Sequence, residues 1–211
     1  MNVLMVGGAP ISTWPQLATY DVYIGIDRGG LFLIEQGLPL TLAVGDFDSL
    51  NETEQQLVFS TAEEVKQSPA EKDDTDTQLG LELLLNRYPE ANVTLIGLTG
   101  GRIDHFLANL WMVLEPRFMP HCQQLLLKDQ QNSIQFLLPG THTIHKEAGM
   151  QYLAYCCLTP VSKLTLTKSK YTLTNQEVTH PTSYASNEFL TNQAQISFTE
   201  GIVAVVQSKD K

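Results

Sequence analysis

Short apolar runs and helical patterns take turns over the first half of the chain, and that alternation limits the fold more than any other feature. The runs are VLMV (3–6), VYIGI (22–26), TLAV (41–44), a weaker EEVKQ (63–67) and NVTLIGL (92–98). Between them the patterning predicts helices over 29–37, 51–60, 75–88 and 103–114. In the last, Leu107, Leu110, Trp111 and Leu114 fall at i, i+3, i+4 and i+7, the spacing of a core-facing stripe. Strands that alternate with helices make a parallel sheet covered on both faces, and near-continuous apolar runs suit strands buried on both sides. This half reads as α/β.

After Pro116 and Pro120 the period changes. QQLLLKD, SIQFLLPG, THTIHK, MQYLAYCC, KLTLTK, YTLTN, AQISFT and GIVAVVQS are short, rich in β-branched residues, and often alternate apolar with polar. FTEGIV reads as a hairpin turn with Gly201 supplying the positive φ. No helix is predicted beyond about residue 120. The expected organisation is an α/β domain over 1–125 and an all-β sandwich over 126–211, with no repeat and no low-complexity linker.

Charge and cysteine content exclude several classes. The formal net charge of −10 argues against a general binder of nucleic acid or anionic membrane, since either needs a basic face. No apolar run approaches the roughly 18 residues of a membrane span. The start, MNVLMVGGAP, lacks the charged region and long apolar core of a signal peptide and reads as a first strand. Three cysteines, two of them adjacent (Cys156 and Cys157), make a poor disulfide framework, so reduced thiols in a cytoplasm are expected. His142 and His145 stand three apart in a predicted strand, which sends them to opposite faces and argues against a zinc site.

In an open parallel sheet, ligands bind outside the carboxyl ends of the strands. The unusual residues of the first half stand at those places: GGAP (7–10), DRGG (27–30), GDFDS (45–49), EKDDTDT (71–77) and TGGRIDH (99–105) follow the five predicted strands in turn. A structural reading exists for each. Ser49 or Asn51 can cap a helix with Glu52 and Glu54 complementing its dipole, and Asp73, Asp74 and Asp76 can crowd a helix N-terminus. Yet two carboxylates about 5 Å apart repel by roughly 3 kcal/mol at an effective dielectric near 20. Capping returns about 1 kcal/mol, less than the repulsion if Asp46, Asp48 and two or three of the later acids converge. A divalent cation removes the conflict, and an oxygen-only donor set suits Mg²⁺. Neither a Gly-x-Gly-x-x-Gly fingerprint nor a conventional P-loop is present. Gly100 and Gly101 nevertheless precede a predicted helix start, where amides and dipole favour an anion, and Arg102 adds a donor fork suited to phosphate. Acids holding metal and cations facing them describe a metal–polyphosphate site.

DRGG, GDFDS, EKDDTDTQ and GGRIDH, in this order and spacing, resemble the thiamine pyrophosphokinase (thiamine diphosphokinase) family, and SKYTLT (169–174) and SNEF (186–189) extend the resemblance over nearly the whole chain. The resemblance implies transfer of the pyrophosphoryl group of ATP to thiamine with Mg²⁺, an α/β catalytic domain joined to a β-sandwich, and a homodimer with thiamine at the subunit interface. Carried over by motif, Asp46 and Asp48 bind Mg²⁺ and the polyphosphate, with Asp74 or Asp76 completing the shell. Asp76 also orients the thiamine hydroxyl and accepts its proton. Asp27, Arg28, Gly29, Lys72, Gly101, Arg102, Asp104 and His105 serve the nucleotide, with Asp76, Asp48 and Arg102 as the catalytic group. Tyr171, Ser186 and Asn187 join Asp76 around thiamine. One departure stands out: where many relatives read Gly-Leu-Lys-aromatic, this chain has KSKY (168–171).

Two other readings keep part of this evidence. A Mg²⁺-dependent nucleotide phosphohydrolase would use the same site with water as acceptor, and its hydrolysis would be indifferent to thiamine. A nucleotide- or thiamine-sensing module would be stabilised by ligands yet never form AMP.

Overall fold

The computed structural model describes residues 1–69, 71 and 73–210. The chain divides into Met1–Gln130 and Gln131–Lys211, a few residues beyond the boundary expected from the change of period. The first unit is α/β, as its alternation predicts. It contains β1 (Asn2–Val6), β2 (Val22–Ile26), α1 (Arg28–Glu35), β3 (Leu42–Gly45), α2 (Glu52–Thr61), β4 (Glu64–Gln67), α3 (Asp76–Arg87), β5 (Asn92–Ile96), α4 (Ile103–Trp111) and β6 (Leu125–Lys128). Its six strands run parallel in the order β6-β5-β1-β2-β3-β4. The alternating side chains of the strands serve opposite faces. Leu4 and Val6 of β1, Tyr23 of β2 and Ala43 of β3 pack with Leu31 and Leu33 of α1 and Val58 of α2. On the other face Gly80 of α3 lies against Met5 and Ile26. The chain order turns back at β1, so the loops after β1 and β5 part there and leave a crevice.

Three expectations for this unit are corrected. QQLLLKD, grouped with the second-half strands, forms β6 and continues the parallel sheet beside β5. A six-residue 3-10 segment, Met119–Gln124, precedes it, so helical structure does continue a little past residue 120. The α4 stripe is only partly covered: Leu107, Leu110 and Leu114 are half-buried, Trp111 is 53% exposed, and the one buried residue of the helix is Asn109.

The second unit is β-rich. Its strands are β7 (Asn132–Leu137), β8 (Gly140–His145), β9 (Tyr152–Cys157), β10 (Val161–Thr167), β11 (Leu173–Val178), β12 (Thr182–Glu188), β13 (Gln193–Phe198) and β14 (Val203–Ser208). They pair antiparallel in two sets, β12-β9-β14-β7 and β11-β10-β13-β8. Leu153, Tyr155, Cys157, Val203 and Val205 of one set and Leu164, Leu166, Ile196 and Phe198 of the other share a single buried cluster. FTEGIV is not a hairpin. Gly201 does take a φ of 100°, but β13 and β14 pair with different strands, so the turn passes the chain from one set to the other.

No helix among the described residues is long and apolar enough to cross a membrane. The three cysteines are free thiols, with Cys122 and Cys157 buried. Burial pushes both of these thiols up to about 11, and burial pushes the Tyr155 hydroxyl up to about 12. The folded state therefore holds these protons more tightly than the unfolded chain does. The stability they contribute is fully present below about pH 9 and is lost as pH rises through 11 and then 12. Thermal melts should accordingly be flat from pH 7 to 8.5 and fall above 9. A Cys122→Ala/Cys157→Ala protein should show a shallower fall between 9 and 11, and an equal slope would exclude the thiols as its source.

Candidate functional site

The motif GDFDS shows why a chain places a phenylalanine between two acids. Phe47 has a φ of 59° and no exposed surface, and its ring meets Phe59 edge-on at 5.0 Å. This buried anchor fixes the loop while Asp46 stays half-buried and Asp48 exposed. The Asp48 amide donates to Asp46 Oδ1 at 3.0 Å. Before them, β3 ends at Gly45 with φ 152°, and a Cβ there would fall 1.8 Å from Asp27 Oδ1. Only a bare backbone lets that carboxylate lie against the strand end. Asp27 itself holds φ 48° and ψ −119°, a costly conformation for a residue with a side chain. It stands at the N-cap of α1, yet its carboxylate makes no capping bond. Instead Asp27 Oδ1 accepts the Phe47 amide at 3.3 Å. From the next loop, Thr75 and Gln78 form a reciprocal capping box that starts α3 at Asp76, whose Oδ1 accepts the Ser68 hydroxyl at 2.9 Å. Asp27, Asp46 and Asp76 thus present carboxylate oxygens that all lie within 4.8 Å of one another.

The trio differs from the set read in the sequence. Asp27, assigned there to the nucleotide side, stands with Asp46 and Asp76, and Asp48 lies outside the trio on the cavity wall. Asp74 is diverted: the Arg117 guanidinium donates to both its oxygens, at 2.8 and 2.6 Å, and holds its carboxyl below the usual range. A carboxylate gripped by a two-point fork has exchanged the cation expected of it for a built-in one. Lys72 lies outside the described residues. The helix-capping reading is right for one motif, since Asn51 and Glu54 cap α2 reciprocally.

A cavity of about 530 Å³ opens at the carboxyl ends of the strands, in the crevice where the strand order turns back. The loops after β1 (7–10) and β5 (97–102) wall it, with Asp27, Arg28, Asp48 and Asp76 between them. Gly101, Arg102 and His105 bring the N-terminus of α4 to the same wall. Arg102 forks onto Asp104, 3.1 Å from Nε and 2.5 Å from the terminal nitrogen, and this pairing holds the exposed Asp104 carboxyl down at about 2. Arg28 reaches the Ser49 carbonyl and Glu54 and so ties α1 to the GDFDS loop. Gly29 is not on the cavity wall. A Cβ there would sit 1.9 Å from the Val6 carbonyl, so this glycine serves the close approach of α1 to β1. Thr77, within the EKDDTDT loop, and Asn109, which no site motif of the sequence covers, are buried polar residues of the cavity wall, 7% and 6% exposed. The available signal for Asn109 was a polar residue four positions after His105 on an otherwise apolar helix.

In the second unit, Tyr171, Ser186 and Asn187 belong to one small assembly. Lys168, which opens the altered KSKY turn, takes a left-handed φ of 58°. Ser186 takes φ 59° at a register shift in the β12–β9 pairing and is exposed. Asn187 is buried, and its side chain is used up by the turn. Its Oδ1 accepts the Tyr171 amide at 3.0 Å, and its Nδ2 donates to the Tyr171 carbonyl at 2.8 Å and to Ser169 Oγ at 3.3 Å. It therefore holds Tyr171 in place, in correction of the expected ligand contact. The Tyr171 ring is 58% exposed, with Lys170 Nζ 5.6 Å from its centroid and held by Glu188.

Comparison with known proteins agrees with this division of the chain. The family model described as the thiamin pyrophosphokinase catalytic domain matches residues 15–125, and that described as the thiamin pyrophosphokinase vitamin B1 binding domain matches 141–203. The thiamine pyrophosphokinase of Bacillus subtilis is 34% identical over 99% of both chains. The crystal structure of a thiamin pyrophosphokinase family protein from Enterococcus faecalis is 58% identical, with a TM-score of 0.98 and full coverage of both chains. That of the Geobacillus thermodenitrificans thiamin pyrophosphokinase is 33% identical, with a TM-score of 0.85, over 100% of this chain and 99% of that one. The chain belongs to the thiamin pyrophosphokinase family.

Proposed function

We infer that the chain is a thiamine diphosphokinase, forming AMP and thiamine diphosphate from ATP and thiamine. The observation that carries this reading is the convergence of Asp27, Asp46 and Asp76 beside a crevice whose other wall offers glycine backbone and Arg102. The three carboxylates form an all-oxygen donor set gathered within 4.8 Å, near enough to close on a small hard cation, and Mg²⁺ is the proposed cofactor. When bound, Mg²⁺ would be held by Asp27, Asp46 and Asp76 and would supply neutralisation of the polyphosphate charge, a task to which Asp48 on the cavity wall is also assigned.

The rest of the reaction is assigned to residues of the chain. Asp76 orients the thiamine hydroxyl and takes its proton as the hydroxyl oxygen attacks the β-phosphorus of ATP in line. The bond from that phosphorus to the oxygen bridging the α-phosphate breaks, and AMP leaves with the bridging oxygen. Such transfers ask for positioning and charge compensation more than covalent chemistry. Arg102 moves from Asp104 onto the migrating oxygens, and the wall near Gly101 and His105 takes the nucleotide. The finer architecture we propose is a helix-covered catalytic domain and a β-sandwich, acting in the cytoplasm as a homodimer that uses neither nucleic acid nor membrane. Thiamine then lies between the cavity of one subunit and Tyr171 and Ser186 of the other, where a cationic ring can stack on the exposed aromatic face. The dimer reading is supported by exposed apolar side chains in each unit, Ile103 and Trp111 in the first and Tyr171 and Leu190 in the second.

The direct assay supplies ATP, Mg²⁺ and thiamine and follows AMP. AMP should appear only with thiamine, and ATP consumption indifferent to thiamine would establish a phosphohydrolase instead. Asp46→Asn, Asp48→Asn and Asp76→Asn should each keep the fold and lower turnover by about 100-fold or more, the scale for loss of one preorganised charge partner. An Asp48→Asn protein with wild-type turnover would remove that residue from the site. Tyr171→Ala and Ser186→Ala should raise the KM for thiamine far more than that for ATP. Mixing Asp76→Asn with Tyr171→Ala subunits should restore about one working site per mixed dimer. Subunit exchange without recovered activity would place thiamine within one chain.

A further inference from the structure

We propose that Arg117 is a positioning residue for the acid site, acting through Asp74 on the start of α3. This rests on the reading of Asp76 as a residue of the metal and thiamine-hydroxyl site. Gln78 and Glu82, four residues apart, share one side of α3, and Asp74, just before the N-cap, turns to the same neighbour. All three meet the segment that follows α4. Arg117 forks onto Asp74 at 2.8 and 2.6 Å and reaches Glu82 at 3.5 Å. Its Nε donates to Glu115 at 2.9 Å, and the Gln78 amide donates to the other Glu115 oxygen. Gln78 is also the residue that closes the capping box on Thr75.

Two features make this network a lock. Its base is rigid, because the guanidinium lies 4.6 Å over the ring of Phe118, which is fully buried. Among the described residues, Asp74, Glu82 and Glu115 all meet one cation, the Arg117 guanidinium. At about 100° per helical residue, Asp76 points some 200° away from Gln78, towards Ser68 and the acid trio. Fixing the Asp74–Gln78–Glu82 side therefore fixes the direction of the Asp76 carboxylate. Without Arg117, three uncompensated acids would repel one another, and the turn that aims Asp76 would loosen. A lysine would keep the charge but not the two-point fork.

The test compares wild type with Arg117→Met, Arg117→Lys, Asp74→Asn and the Asp74→Asn/Arg117→Met double variant. Bound Mn²⁺ is read by electron paramagnetic resonance, turnover by AMP release, and Tm by calorimetry. Loss of an outer-shell partner of a metal site commonly costs about 10- to 100-fold. Arg117→Met should weaken the Mn²⁺ Kd and lower kcat by about 10-fold or more, Arg117→Lys should fall between it and wild type, and the double variant should be no worse than Arg117→Met. Wild-type Mn²⁺ affinity in Arg117→Met with a lowered Tm would reduce the residue to a purely structural role. If Arg117→Met does not fold, Arg117→Lys carries the same reading, and wild-type Mn²⁺ affinity and kcat in that protein would overturn the proposal. Unchanged Mn²⁺ binding in Asp76→Asn would instead remove the acid site itself.

Discussion

Three carboxylates within 4.8 Å of one another are a standing electrostatic conflict, and much of the first unit is arranged to hold them there. Each pair at about 5 Å costs roughly 3 kcal/mol at an effective dielectric near 20, comparable to a large share of the net stability of a domain. The scaffold answers with anchors that act on the backbone. Phe47 is sunk in the core between Asp46 and Asp48, Gly45 clears room for the Asp27 carboxylate, and a capping box starts α3 at Asp76. Two of these anchors leave non-glycine residues at positive φ, Asp27 at 48° and Phe47 at 59°. Strain concentrated in that way is expected where arrangement serves chemistry ahead of stability.

The same economy appears in the second unit. Asn187 gives up its hydrogen-bonding capacity to a turn so that Tyr171 stands out from the surface. Lys168 and Ser186 bear the left-handed conformations that make the turn and the register shift possible. In both units a few exposed or half-buried groups are thus held in place by neighbours whose hydrogen bonds and packing fix the backbone beneath them.

How much of this was legible follows from what each signal encodes. The parallel half was readable because its strands and helices differ in period, and the acid loops were readable because more carboxylates gather there than helix capping can use. Periodicity shows which residues share a face but not what lies opposite, so the α4 stripe was legible while the exposure of Trp111 was not. β12 escaped because Ser183, Ala185, Ser186 and Asn187 offer no apolar alternation, and the strand carries a register shift. The role of Asp27 depends on a backbone angle, and that of Asp74 on an arginine 43 residues away. Neither is written in local spacing.

An acid trio that is unfavourable by itself should be relieved by a divalent cation. The most direct measurement is the Tm of wild type and Asp76→Asn, each in chelator and in millimolar Mg²⁺. Asp76→Asn should melt higher than wild type in chelator, because a repelling charge has gone. Mg²⁺ should raise the wild-type Tm and leave that of the variant nearly unchanged. A wild type indifferent to Mg²⁺, with Asp76→Asn melting lower in chelator, would show that the three carboxylates are held by the fold at no electrostatic cost and await no cation.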